Sequence, residues 1–84
     1  MSIEEQVRNI VEESIRKENF YLDEVIYEKE GGNYFLRIVI DKDGIVDVED
    51  TTKIFHIVSK LLDEKDPIKD SYILDVCSKE KGRE

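Results

Sequence analysis

The stretch from Val25 to Asp41 constrains this chain most. β-branched and aromatic residues crowd both sides of Gly31-Gly32-Asn33. Such residues suit a pleated, half-buried surface, and the central ones tolerate the positive φ of a tight turn. The stretch therefore predicts a β-hairpin, Val25 to Glu30 running up and Tyr34 to Asp41 running back. Alternation puts Leu36, Ile38 and Ile40 on one face of the second strand and Arg37 on the other. Val25 and Tyr27 share the face of Leu36, Ile38 and Ile40. Leu22 has the wrong parity to join Val25 on a regular strand, so a bulge or bend is expected near Asp23-Glu24.

The segments around the hairpin have helical period. Ile3, Val7, Ile10, Val11 and Ser14 form a stripe over Ser2 to Lys17, with Ile15 at its edge. Ser2 and Glu5 have capping-box spacing, acids open the helix, Arg16 and Lys17 close it, and Asn19 stops it. A second helix is expected from about Asp47 to Asp63, with Asp47 as N-cap and Asp50 three residues on. Its buried stripe is Val48, Ile54, Val58, Leu61 and Leu62, with Val46 and Thr51 as a weak staple. Pro67 ends the helical region. A last strand, Ser71 to Ser78, turns Tyr72, Leu74 and Val76 to one face and Ile73, Asp75 and Cys77 to the other.

At 84 residues the chain is long enough for one small core, here residues 1–78, followed by a polar tail at 79–84. The order α-β-β-α-β, with one apolar face per element, predicts an α+β, two-layer sandwich whose two helices cover one face of a three-stranded sheet. The crossover through the second helix runs the third strand parallel to the second. Placed beside the first strand, it makes an antiparallel sheet of order 2-1-3, the arrangement expected here.

Charge and chemistry narrow the function. The net charge of −8, from 21 acidic and 13 basic side chains, opposes a phosphate backbone and favours basic protein partners; acidity also simply keeps a small domain soluble. Cys77 is the single cysteine, no apolar run approaches a membrane span, and a reducing cytoplasm is the expected compartment. No catalytic, metal or cofactor set emerges. Asp41, Asp43, Asp47, Glu49 and Asp50 surround Gly44, but the glycine is fourth after Asp41 where a calcium loop needs it sixth, so a turn and helix caps explain them. His56 has no nucleophile or orienting acid in sequence reach. Gly31-Gly32 leads into a strand and not a helix, which excludes a phosphate cradle and the G-x-x-G loop of a K-homology domain, although the fold is K-homology-like.

Two surfaces remain. The sheet face away from the helices carries Ile26, Phe35, Val39, Ile73 and Cys77, interleaved with Glu24, Glu28, Arg37 and Asp75. A half-apolar open face is often a partner surface, though soluble proteins also expose such faces routinely. Ile26, Phe35, Arg37, Val39 and Ile73 are the expected partner-binding residues. Phe55 and Ile57, off the helical stripe, are a candidate patch for self-association as a homodimer.

Three stretches together resemble one family: YLDEVIYEKEGGNYFLRIVID at 21–41, GIVDVED at 44–50, and LDEKDPI at 62–68 followed by YILDV at 72–76. They are similar to the N-terminal domain of the ribosome maturation factor RimP. The resemblance implies the α-β-β-α-β fold and a non-enzymatic, cytoplasmic factor for the small ribosomal subunit that engages a ribosomal protein and nearby rRNA. An acidic domain of this kind is expected to touch nucleic acid little. After Ser78 the family continues into an SH3-like domain, whereas this sequence gives a polar hexapeptide. Phe55-His56 stands where the family tends to have Ser-Arg. A truncated or diverged relative that acts only by self-association is the alternative.

Overall fold

In the computed structural model, which describes residues 2–79, the elements run α1 (Ile3–Lys17), β1 (Tyr21–Glu30), β2 (Asn33–Asp41), α2 (Val48–Lys65) and β3 (Tyr72–Ser78). From Glu80 onward the expected polar tail lies outside the described residues. Lys79 is held: its N–H donates to the Ile40 carbonyl at 2.8 Å.

The helix ends follow from their capping residues. Ser2 and Glu5 form a reciprocal capping box on α1, and Asp47 and Asp50 form one on α2. α1 stops in a Schellman motif, with Asn19 at φ 70° and the Phe20 N–H reaching the Ile15 carbonyl at 3.3 Å. This return folds Phe20 over the last turn, so Ile15 is fully buried and not at the margin of the stripe. Val7, Val11 and Ile15, four residues apart, are the true centre line of α1.

α2 buries Ile54, Val58 and Leu62. Val48, expected in that stripe, is 79% exposed. At about 100° per residue it lies roughly 120° round the helix from Ile54, and it is the first helical residue. Val46 packs against the core in its place. Asp66 takes a left-handed conformation and closes α2 before Pro67.

The hairpin turn is tighter than expected. Gly31 and Gly32 alone form it, at φ 55° and 91°, and Asn33 already belongs to β2. Two successive positive φ values give the type I′ turn whose twist matches paired strands. β1 begins at Tyr21 and passes through the expected bulge: Leu22 pairs with Ile40 but Glu24 with Val39, leaving Asp23 unpaired in the ladder. The extra residue returns Leu22 to the side of Val25.

The strand order corrects the expectation. The sheet is mixed, in order β1-β2-β3, with β1 antiparallel and β3 parallel to β2. Two physical reasons place β3 beside β2. β2 is apolar on both faces, as a central strand is, while β1 is studded with Asp23, Glu24, Glu28, Lys29 and Glu30, as an edge is. The outer edge of β1 is also taken by α1. The Tyr27 N–H donates to the Glu4 carboxylate at 2.9 Å, and Arg8 Nη2 donates to the Asp23 carbonyl at 3.3 Å.

Both helices pack on the same face, α1 against β1, α2 against β3, and each against the other. The core joins Val7, Val11 and Ile15 to Leu36, Ile38 and Ile40 and to Ile54, Val58 and Leu62. Lys53 and Glu18 clamp the helices at the surface at 2.7 Å. Each large apolar side chain buried here contributes about 1.5–3 kcal/mol, against about 0–1 kcal/mol for an exposed ion pair. Packing therefore decides the arrangement. Ile38→Ala is expected to lower unfolding free energy by about 2–5 kcal/mol in urea titrations, and Val48→Ala to change it by less than about 0.5 kcal/mol. A large loss at Val48 would mean that it is buried after all.

Candidate functional site

The register fixes what the open face displays. Ile26 pairs with Arg37 and Glu28 with Phe35 across β1 and β2. Ile73 pairs with Phe35, Asp75 with Arg37 and Cys77 with Val39 across β2 and β3. Residues paired in this way share a face, so Ile26, Phe35, Arg37, Val39, Ile73 and Cys77 lie together, opposite the buried Leu36, Ile38 and Ile40. Ile73 is 48% exposed, and the others are half-buried.

Arg37 stands at the middle of this face because β2 is the middle strand. Its Nε donates to Asp75 Oδ2 at 3.1 Å and its Nη1 to Glu28 Oε2 at 3.3 Å. One guanidinium thus bridges both outer strands. The hydrogen bond to Asp75, followed by the charges of Asp75 and Glu28, raises the Arg37 pKa above its ordinary value against the opposing effect of burial. With two carboxylates already on its guanidinium at the sheet surface, Arg37 is poorly placed to seek a phosphate. Around this guanidinium the face carries Glu24, Glu28 and Asp75 among apolar side chains, and Lys79, just past β3, reaches Asp23 of β1 at 3.4 Å.

Cys77 shares the face, but its surroundings do not activate the thiol. Burial, and then Asp75, push its thiol pKa up, with Arg37 only partly opposing them. A raised pKa leaves little thiolate at neutral pH. The acids around Gly44 are used structurally. Lys42 Nζ lies 2.7 Å from Asp50 Oδ2, and Asp47 and Asp50 cap α2. Among the described residues, no group of three or more His, Cys, Asp or Glu side chains converges to hold a metal ion.

On α2, Phe55 is half-buried and meets His56 edge to face with ring centres 6.0 Å apart. Ile57 is half-buried and packs against the core. The structure therefore sets the two on different sides of α2: Phe55 lines a groove against β3 with Leu74, and Ile57 turns inward.

One feature escaped the pattern. Tyr27, Tyr34 and Tyr72 form a row across the helix-side face at the hairpin end, where Tyr27 and Tyr34 stack with centroids 5.3 Å apart. The Tyr27 hydroxyl is buried without a hydrogen-bond partner among the described residues. Burial first, and then Asp70, raise its pKa. The row depends on the β2–β3 pairing, so the antiparallel order hides it.

Two outcomes follow from these environments. Cys77 should alkylate with iodoacetamide more slowly near neutral pH than the cysteine of an unstructured peptide, its rate rising with pH; an equal or faster rate would contradict the raised thiol. The Asp50 carboxyl is held below the usual carboxylate range, by its hydrogen bond to Lys42 first and the Asp47 backbone next. Its contribution to stability is complete above the unfolded value of about 3.9 and is lost as pH falls through the lower folded value. Urea midpoints measured on acidification should fall less steeply in Asp50→Asn than in the wild type, and parallel curves would sink the assignment.

Comparison with known protein families matches residues 10–79 to the RimP N-terminal domain. The matched span runs from within α1 through the hairpin, α2 and β3.

Proposed function

The chain belongs to the RimP N-terminal domain family, and from that premise we propose that it is a non-enzymatic docking module in maturation of the small ribosomal subunit. The open sheet face around Phe35, Arg37 and Val39, flanked by Ile26 and Ile73, receives a basic ribosomal protein. The observation that carries this reading is the composition of that face. Apolar side chains stand among carboxylates, and the central cation, Arg37, is already paired with Glu28 and Asp75.

Such a face fits a partner with apolar anchors and basic rim residues better than it fits rRNA. Apolar anchors supply affinity at the centre of an interface, and complementary charge steers the encounter. The net charge of −8 acts in the same direction. Direct nucleic-acid contact by this domain is minor, because phosphate binding draws on available basic residues, and Arg37 and Lys79 are already paired with carboxylates. The reading places the protein in the cytoplasm, where the subunit matures, and takes residues 1–78 as the docking unit. No helix among the described residues is long and apolar enough to cross a membrane.

The test is retention of purified small ribosomal subunits on the immobilised chain. Wild type should be retained above a control protein of equal charge and size. Phe35→Asp, on a side chain that points away from the core, should weaken retention by roughly ten-fold or more. Wild-type retention no better than the control would end the proposal.

A further inference from the structure

The two edges of the sheet are treated differently. Side chains of α1 occupy the β1 edge, as described above. The β3 edge has no such cover. The Lys79 N–H bonds to Ile40, and in a parallel ladder alternate residues bond to the same neighbour. Ile73, Asp75 and Cys77 therefore turn their backbone groups toward β2, and Tyr72, Leu74 and Val76 turn theirs outward. Among the described residues, no hydrogen bond reaches those outward groups.

Beside this edge runs a groove between β3 and α2. It consists of two adjoining hollows of about 440 and 200 Å³ that share Phe55 and Leu74. Tyr72 and Val76 extend its apolar floor. Its rim is acidic: among the described residues, Asp63, Asp66 and Asp70 line it against Lys69. After burial, the charges of Asp63 and Asp66 are what push the Tyr72 phenol up. Unpaired edge groups, alternate apolar pockets and a rim of one sign are the parts from which strand addition is built.

From these features we infer that the β3 edge takes an extended, basic polypeptide segment of a partner protein as a fourth strand, its apolar side chains entering the groove at Phe55. This is a second surface beside the open face, and it deepens the reading that the domain docks a basic protein. Charge complementarity selects the occupant: a second copy of the chain would bring the same acids against this rim, whereas a lysine-rich strand meets them with opposite charge.

The probe is a peptide of alternating lysine and valine, about nine residues long so that it spans β3 at about 3.3 Å per residue. It is titrated into the ¹⁵N-labelled full chain. Amide shifts and slowed exchange are expected at Tyr72, Leu74 and Val76. A peptide of equal charge, N-methylated along its pairing edge, should bind roughly ten-fold more weakly, since it loses two or more backbone hydrogen bonds. Phe55→Ser should weaken binding while the remaining amide spectrum is retained. Phe35→Asp, which disables the open face, should leave peptide binding unchanged, so the two surfaces fail separately. Equal affinity for the methylated peptide, or shifts confined to the open face around Arg37, would overturn the inference. Concentration-dependent protection of the β3 edge without peptide would also overturn it, in favour of self-pairing.

Discussion

Burial of Leu36, Ile38 and Ile40 is the constraint on which the other features rest. All three side chains are fully excluded from solvent by both helices. Because strand side chains alternate, that burial turns Phe35, Arg37 and Val39 to the opposite face without further choice. Because β2 is paired on both edges, Arg37 finds a carboxylate on each side. The ion pairs are a consequence of the strand order and too weak to cause it. One apolar row thus determines the core, the exposed face and the electrostatics of that face.

Much of this was legible from residue pattern. The capping boxes at Ser2–Glu5 and Asp47–Asp50, the bulge at Asp23 and the membership of both sheet faces all follow from spacing and parity, which are local properties. The strand order, β1-β2-β3, departs from the expected 2-1-3 because it depends on which edge is free, and that is a tertiary fact. Its signal was present in the charge contrast between β1 and β2 and in Glu4 and Arg8, whose place beside β1 no helical periodicity reveals. Val48 and Ile15 depart from the helical stripe for a related reason. A stripe drawn on an isolated helix ignores where the sheet ends and where Phe20 folds back.

The candidate site was legible as a set of residues but not as a device. Parity nominated Ile26, Phe35, Arg37, Val39 and Ile73 together, and the register confirms that they share a face. The bridge from Arg37 to Glu28 and Asp75 required the central position of β2. The groove at Phe55 and the free edge of β3 required it too. Phe55 and Ile57 looked equivalent in the sequence, yet one lines that groove and the other packs on the core.

The central claim, that β2 lies between β1 and β3, is tested most directly by amide hydrogen exchange on the wild-type chain. With β2 in the middle, consecutive amides from Leu36 to Ile40 should all be protected. On β3, Ile73, Asp75 and Cys77 should be protected while Leu74 and Val76 exchange freely, and the Tyr27 amide should be slowed by Glu4. Alternating protection along β2 itself would make it an edge strand and would contradict the account.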